Sequence, residues 1–120
     1  MGCEEEQGQW GTVEWAKDHR GRMPAREFFV GLGPEDVAKV SALFRKLANT
    51  GKIRNREKFK KVDSIWEFKS FRIRLLGDFR PGHRFVVALG VIKKKGRLRQ
   101  EDLDKAVRIL EENDARETGK

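Results

Sequence analysis

The sequence predicts an α+β fold, in which a small, twisted, mainly antiparallel sheet of about four strands carries two N-terminal helices and one C-terminal helix. Three observations predict it. The 120 residues are the length of a single domain, and no internal repeat or low-complexity linker divides them. Apolar residues keep a helical spacing in the first half of the chain, whereas in the second half they alternate with polar residues. We expect the folded domain to cover residues 10–113, between a disordered acidic tail at 1–9 and a polar tail at 114–120.

The first half of the chain predicts a strand followed by a helical hairpin. Residues 10–15 predict the strand, with Val13 and Trp15 on one side of the alternation. Pro24 suits the first turn of a helix, and the pair at residues 33–34, Gly and Pro, ends this helix and begins the next. The second helix has a stop signal at residues 49–51. Its apolar residues at helical spacing are Val37, Val40, Phe44 and Leu47.

The second half predicts three strands and a helix. A strand is predicted at residues 65–71, and the alternating segment that follows predicts the next strand. In that segment the apolar residues Phe71, Ile73 and Leu75 lie on the side opposite Arg72 and Arg74. A turn at residues 80–83, with Pro and Gly at its centre, leads into residues 85–92, an apolar run typical of a central strand. The closing helix is indicated by an apolar stripe of Leu103, Ala106, Val107 and Leu110.

Composition and local sequence exclude several classes of protein. The uncharged apolar run at 85–92 is far shorter than the roughly 20 residues that span a bilayer, and no secretory signal pattern precedes it. A single cysteine, Cys3, cannot form an internal disulfide, and with only His19 and His83 as nitrogen ligands it cannot build a structural zinc site. No sequence motif for a nucleotide cofactor is present. We therefore expect a cytoplasmic protein that needs neither metal nor cofactor and does not associate with membranes.

The net charge of +8 is unevenly distributed. Residues 51–99 contain 16 Lys or Arg and 4 Asp or Glu, a net charge of +12, whereas the rest of the chain has a net charge of −4. A positive field concentrated in part of a small domain predicts a polyanionic partner, with nucleic acid as the first candidate. A solvated, solubilising surface and an acidic protein partner remain open as alternatives.

The basic residues of this segment are candidates for contacting RNA. If the apolar side of the alternating segment packs on helices, Arg72 and Arg74 project from an open sheet face, and both can bind phosphate groups. Lys93, Lys94 and Lys95 follow the predicted central strand and would lie at the rim of that face. The remaining predicted RNA-binding residues are Lys58, Lys60, Lys61, Lys69 and Arg97.

Three residues of the predicted strand at 65–71 have two interpretations each. Glu67 either accepts a proton or orients an arginine in a catalytic site, or it forms an ordinary cross-strand ion pair. Trp66 and Phe68 either stack on nucleobases or belong to the core, and the core interpretation is favoured. His19 and His83 are isolated in the sequence and are interpreted as surface side chains rather than catalytic bases.

The segment around Glu67 also resembles a known family. A Trp-Glu pair within an apolar strand, an arginine shortly after it, an apolar strand ending in Lys-Lys and a C-terminal helix together resemble the RelE/ParE superfamily. The similarity is greatest to the phage-derived HigB-like toxins of type II toxin–antitoxin systems, and it covers residues 10–113. The residues that carry the resemblance are Trp66, Glu67, Arg72, Lys93, Lys94 and Ala106.

The resemblance implies a RelE-like fold and a metal-independent endoribonuclease that cleaves mRNA on the translating ribosome. In such enzymes the RNA 2′-hydroxyl attacks the adjacent phosphate, and basic side chains stabilise the transition state. The residues it assigns to catalysis are Arg72, Lys94 or its neighbour Lys93, and Glu67. It further implies a cognate antitoxin, a helix-turn-helix DNA-binding protein that masks the basic face.

The chain departs from this family at its C-terminal end. Many members carry a Tyr or His there as a catalytic or base-stacking group, whereas this chain has no Tyr and no His after His83. An alternative therefore stays open, namely a non-catalytic module of the same fold that binds RNA, the ribosome or gyrase.

Overall fold

In the computed structural model, which describes residues 3–93 and 97–119, helices cover both faces of a mixed six-stranded sheet. The strands are β1 Glu4–Gln7, β2 Thr12–Trp15, β3 Phe59–Val62, β4 Ile65–Ser70, β5 Ile73–Arg80 and β6 Arg84–Ile92. The helices are α1 Pro24–Val30, α2 Pro34–Thr50 and α3 Gln100–Thr118. The strand order is β1-β2-β6-β5-β4-β3, and every neighbouring pair is antiparallel except β2 and β6. The α+β class is confirmed, and the sheet is larger than predicted.

The signals that predicted the helical hairpin mark its boundaries. Pro24 and Pro34 begin α1 and α2 at positions where the missing N–H group has no partner within the helix. At the end of α2, Gly51 adopts a left-handed conformation with φ of 77°, and its N–H donates to the Leu47 carbonyl. This is the conformation for which glycine is favoured at a helix C-terminus.

Two short edge strands account for the larger sheet. The sequence predicts a disordered tail at residues 1–9, whereas Glu4–Gln7 forms β1 and pairs with β2. The Trp15 indole N–H donates to the Glu5 carboxylate at 3.1 Å, which fixes the acidic strand against the core. At the other edge, β3 has one fully buried side chain, Phe59. Charged edge strands of this kind lack the apolar alternation that identifies a strand in a sequence.

One face of the sheet packs against α1 and α2 through an aromatic core. Alternate β6 residues belong to different hydrophobic clusters, because Phe85 and Val87 face α1 and α2 whereas Val86 and Ala88 face α3. Phe44 of α2 lies at the centre of the first cluster, and its ring contacts the rings of Trp15, Phe29 and Phe68 at centroid distances of 5.6, 6.0 and 5.1 Å.

The opposite face was expected to be open, but α3 packs across β5 and β6 and covers it. Its buried residues are Leu103, Ala106, Ile109, Leu110 and Asn113. The helix continues to Thr118 through residues 114–118, which were predicted to form a polar tail. Two bidentate ion pairs hold this end: Arg80 with Asp114, at 2.9 and 3.0 Å, and Arg84 with Glu117, at 3.0 Å for both contacts.

The two strands predicted at residues 65–71 and from residue 71 onward are present, but a hairpin turn replaces strand at the point where they were expected to meet. Ser70 pairs with Ile73, so Phe71 and Arg72 form a two-residue loop between β4 and β5. Arg72 therefore lies at a hairpin tip and does not project from the sheet face as predicted. Phe71 was expected on the buried side of a strand, but it is 78 % exposed. Among the described residues, no helix is long and apolar enough to cross a bilayer.

Replacing Phe44 with alanine tests the position of the core. We expect Phe44→Ala to lower the free energy of unfolding by about 3–5 kcal/mol, because it leaves a cavity among packed aromatic rings. Val30→Ala, at a residue that is mostly exposed on α1, is the control and should change stability by no more than about 0.5 kcal/mol. Urea denaturation followed by tryptophan fluorescence measures both, and equal effects of the two variants would contradict this description of the core.

Candidate nucleic-acid interface

A positively charged cleft of about 390 Å³ lies on the α3 side of the sheet, between the β3–β4–β5 strands and the N-terminus of α3. The strand register brings its residues together: Lys60 lies opposite Glu67 across the β3–β4 pair, and Lys69 lies opposite Arg74 across the β4–β5 pair. Residues Gln100 and Leu103 of α3 form the wall on the other side. Six cationic side chains line the cleft: Arg56, Lys60, Lys61, Lys69, Arg74 and Arg97.

A buried ion pair forms part of the cleft lining. Glu67 is 3 % exposed and Arg74 is 9 % exposed, and the Arg74 Nε lies 3.1 Å from the Glu67 Oε2. The same guanidinium donates from Nη1 to the carbonyl oxygens of Phe71 and Ile73. Arg74 thus holds the Glu67 carboxylate in place and connects it to the β4–β5 hairpin tip.

Burial raises the pKa of Glu67 above its ordinary value of 4.5. The positive charges of Arg74, Lys60 and Lys69 act in the opposite direction and offset the effect of burial only in part. A carboxyl group with a raised pKa that lines a cleft can exchange a proton with a bound ligand more readily than an exposed carboxylate can.

The structure brings together six of the residues predicted from the sequence. These are Lys60, Lys61, Glu67, Lys69, Arg74 and Arg97, and all line the cleft. The predicted open-face position of Arg74 is wrong, because this side chain is buried in the ion pair with Glu67. Lys58 is exposed in the turn before β3 and is not among the lining residues.

The other predicted catalytic residues lie at the hairpin tip or outside the described residues. The Lys93 N–H donates to the Arg72 carbonyl at 2.7 Å, which places these two residues side by side at the end of the sheet rather than in the cleft. Lys94 and Lys95 lie outside the described residues. The catalytic roles predicted for Arg72, Lys93 and Lys94, and the RNA contact predicted for Lys95, stay predictions.

The core interpretation of the two strand aromatics is confirmed. Phe68 is almost completely buried, and the Trp66 ring stacks on the Phe59 ring with centroids 4.8 Å apart. Neither histidine is among the cleft residues that the structure describes. His83 stacks on Trp10, and His19 lies 3.4 Å from a Glu112 carboxylate oxygen at the far side of α3.

Sequence reasoning missed three polar residues that line the cleft: Arg56, Asp63 and Gln100. Arg56 and Asp63 belong to the strongly basic segment, so charge alone would have included Arg56. Gln100 had no sequence signal, because its place depends on how α3 crosses the sheet.

Comparisons with known proteins leave the site to be interpreted from its own residues: no protein-family model matches the chain, and no curated protein matches it significantly. Among residues 3–93 and 97–119, no group of three or more His, Cys, Asp or Glu is arranged to hold a metal ion.

The raised pKa of Glu67 predicts a specific dependence of stability on pH. A carboxyl group whose pKa is higher in the folded than in the unfolded chain stabilises the fold at pH values below its pKa in the unfolded chain. This contribution is lost as the pH rises through its pKa in the folded chain. The stability of the wild type should therefore fall relative to that of Glu67→Gln as pH rises from 4.5 toward neutrality. The attraction of Arg74 acts only on the ionised carboxyl, so it is already part of the net rise in the pKa of Glu67.

Urea denaturation at a series of pH values measures this difference. Glu101→Gln, which removes an exposed carboxylate on α3, is the matched control for removing a negative charge. A wild type that gains stability over Glu67→Gln as pH rises would contradict the raised pKa.

Proposed function

We propose that this chain is the toxin of a type II toxin–antitoxin system and that it cleaves mRNA at the ribosome without a metal ion. The observation that carries the proposal is the cleft itself, in which a buried carboxyl group with a raised pKa lies among six cationic side chains. The cations supply attraction for a polyanion, and the carboxyl supplies a group that can exchange a proton. The resemblance of the sequence to HigB-like toxins supports the same assignment.

The proposed reaction uses the RNA 2′-hydroxyl as its nucleophile. Glu67 accepts the hydroxyl proton while the 2′-oxygen bonds to the adjacent phosphorus, and the bond from phosphorus to the 5′-oxygen breaks. The products are a 2′,3′-cyclic phosphate and a 5′-hydroxyl, whose proton is returned by Glu67 or by water. Lys60 and Lys69 stabilise the negative charge that develops on the phosphoryl oxygens.

Arg74 acts as a positioning residue in this scheme. Its Nε and Nη1 groups are occupied by the Glu67 carboxylate and by two main-chain carbonyls. It therefore fixes the orientation of the base, whereas the lysines are the groups free to contact phosphate. The cognate antitoxin would have to neutralise this surface, and an acidic segment on a helix-turn-helix protein fits that requirement.

One observation favours the second candidate, a non-catalytic module that binds RNA, the ribosome or gyrase. The chain has no Tyr, and both of its His residues lie away from the cleft. A second proton-transfer group of the imidazole or phenol type is therefore missing, so leaving-group protonation depends on Glu67 or water.

Glu67→Gln distinguishes the two candidates. We expect this variant to lower the rate of mRNA cleavage in a translating extract by about 10²- to 10⁴-fold while RNA binding is retained, because the amide cannot accept the proton. Glu57→Gln removes an exposed carboxylate in the turn before β3, outside the cleft lining, and is the matched control, with a rate close to that of the wild type. Cleavage by Glu67→Gln at the wild-type rate would remove Glu67 from the mechanism, and binding without cleavage by the wild type would favour the second candidate.

The salt dependence of RNA binding tests the role of the two lysines. Each phosphate contact to single-stranded RNA contributes about 0.7 to the slope of log K against log salt concentration. The double variant Lys60→Ala with Lys69→Ala should therefore reduce the slope by about 1.4. Lys105→Ala, on the other flank of α3, is the control and should leave the slope unchanged. An unchanged slope in the double variant would place the RNA outside the cleft.

A further inference from the structure

The tip of the β4–β5 hairpin has an unusual composition for its backbone conformation. Phe71 has φ of 59°, a left-handed conformation that is disfavoured for a bulky side chain and is normally occupied by glycine in a two-residue hairpin loop. The side chain is also 78 % exposed, so burial of the ring does not compensate for the strain. Strain combined with exposure of an aromatic ring points to a function at this position.

The ring of Phe71 lies in a basic environment at the end of the sheet, on the α2 side, and only the main chain of the tip connects it to the cleft on the α3 side. The Lys39 Nζ lies 4.7 Å from the ring centroid, and Arg72 follows in the same turn. Lys93 is bonded through its main chain to Arg72. The Phe71 carbonyl accepts a hydrogen bond from Arg74, the residue that pairs with Glu67, so the tip and the proposed base are held by one guanidinium.

We propose that Phe71 stacks on an unpaired nucleobase of a single-stranded RNA whose backbone runs from the cleft around the end of the sheet at the β4–β5 tip. The inference rests on the proposed RNA-binding function and adds to it a preference for unpaired bases. A nucleotide offers a flat aromatic surface together with a negative phosphate, which matches an exposed ring flanked by cations. An apolar pocket on a protein partner would instead have to bury these cations, at a large desolvation cost.

This arrangement specifies the substrate class as single-stranded RNA. Bases in a duplex are stacked on one another and cannot reach a side chain at the hairpin tip, whereas every unpaired base has a free face. Stacking on a base also accounts for a phenylalanine at a position where the backbone conformation favours glycine, because glycine has no ring.

Fluorescence of 2-aminopurine in a short, single-stranded 2′-O-methyl RNA tests the proposal. The 2′-O-methyl groups block attack on the phosphate, so binding is measured without cleavage, and stacking on an aromatic ring quenches the fluorescence. We expect the wild type to quench one position of the probe and Phe71→Gly to bind roughly 5- to 150-fold more weakly without this quenching. Phe71→Trp should retain both, and Phe71→Leu should lose the quenching although it keeps apolar bulk.

Two controls separate the possible failures. Glycine suits the left-handed conformation, so Phe71→Gly is expected to remain folded, with a midpoint of thermal unfolding no lower than that of the wild type. The same oligonucleotide annealed to its complement should bind all variants equally. Full quenching and wild-type affinity in Phe71→Gly would overturn the stacking proposal alone and leave the tip to a protein partner. A wild type that binds neither form of the probe would overturn the proposed RNA-binding function and, with it, this inference.

Discussion

The buried ion pair between Glu67 and Arg74 is the constraint on which the site depends. A buried ion pair often stabilises a fold no more than two apolar residues of similar volume would, because both charges lose their hydration. Removal of one partner alone costs about 3–5 kcal/mol of stability, because it leaves a buried charge unpaired. The pair therefore fixes the β4–β5 register without offering an advantage in stability over a hydrophobic pair. Its position in an open, basic cleft and its link to the hairpin tip support a chemical role for it.

The location of α3 separates the basic segment into two parts with different roles. Arg80 and Arg84 pair with acidic residues near the C-terminal end of α3 and so contribute to the fold. The acidic excess of the rest of the chain is used partly for this purpose. At the other end of the helix, Lys60 and Lys69 form no salt bridge within the part of the chain that the structure describes, and both line the cleft. The same positive segment thus attaches α3 and forms the proposed RNA-binding surface.

Sequence reasoning identified the features that depend on local signals and missed those that depend on tertiary context. Proline and glycine marked the limits of α1 and α2, and periodicity identified Phe44 as a core residue. The apolar alternation changes phase between Phe68 and Phe71, and this was the local sign of the turn, because neither Phe71 nor Arg72 is a residue that favours turns. Which face Arg74 occupies was deducible, but its burial depended on the side of the sheet that α3 covers. The concentration of charge in one segment predicted most of the cleft cations. The register of β3 and β4 then brings these cations together around Glu67.

Expression of the chain alone in a bacterium, with mRNA 5′ ends mapped soon after induction, tests the central claim most directly. The account predicts growth arrest together with new 5′ ends in translated mRNA, which disappear when translation initiation is blocked. Arrest without new ends would contradict cleavage and shift the target to gyrase or to the ribosome itself. Normal growth of cells that contain the folded protein would contradict the assignment as a toxin.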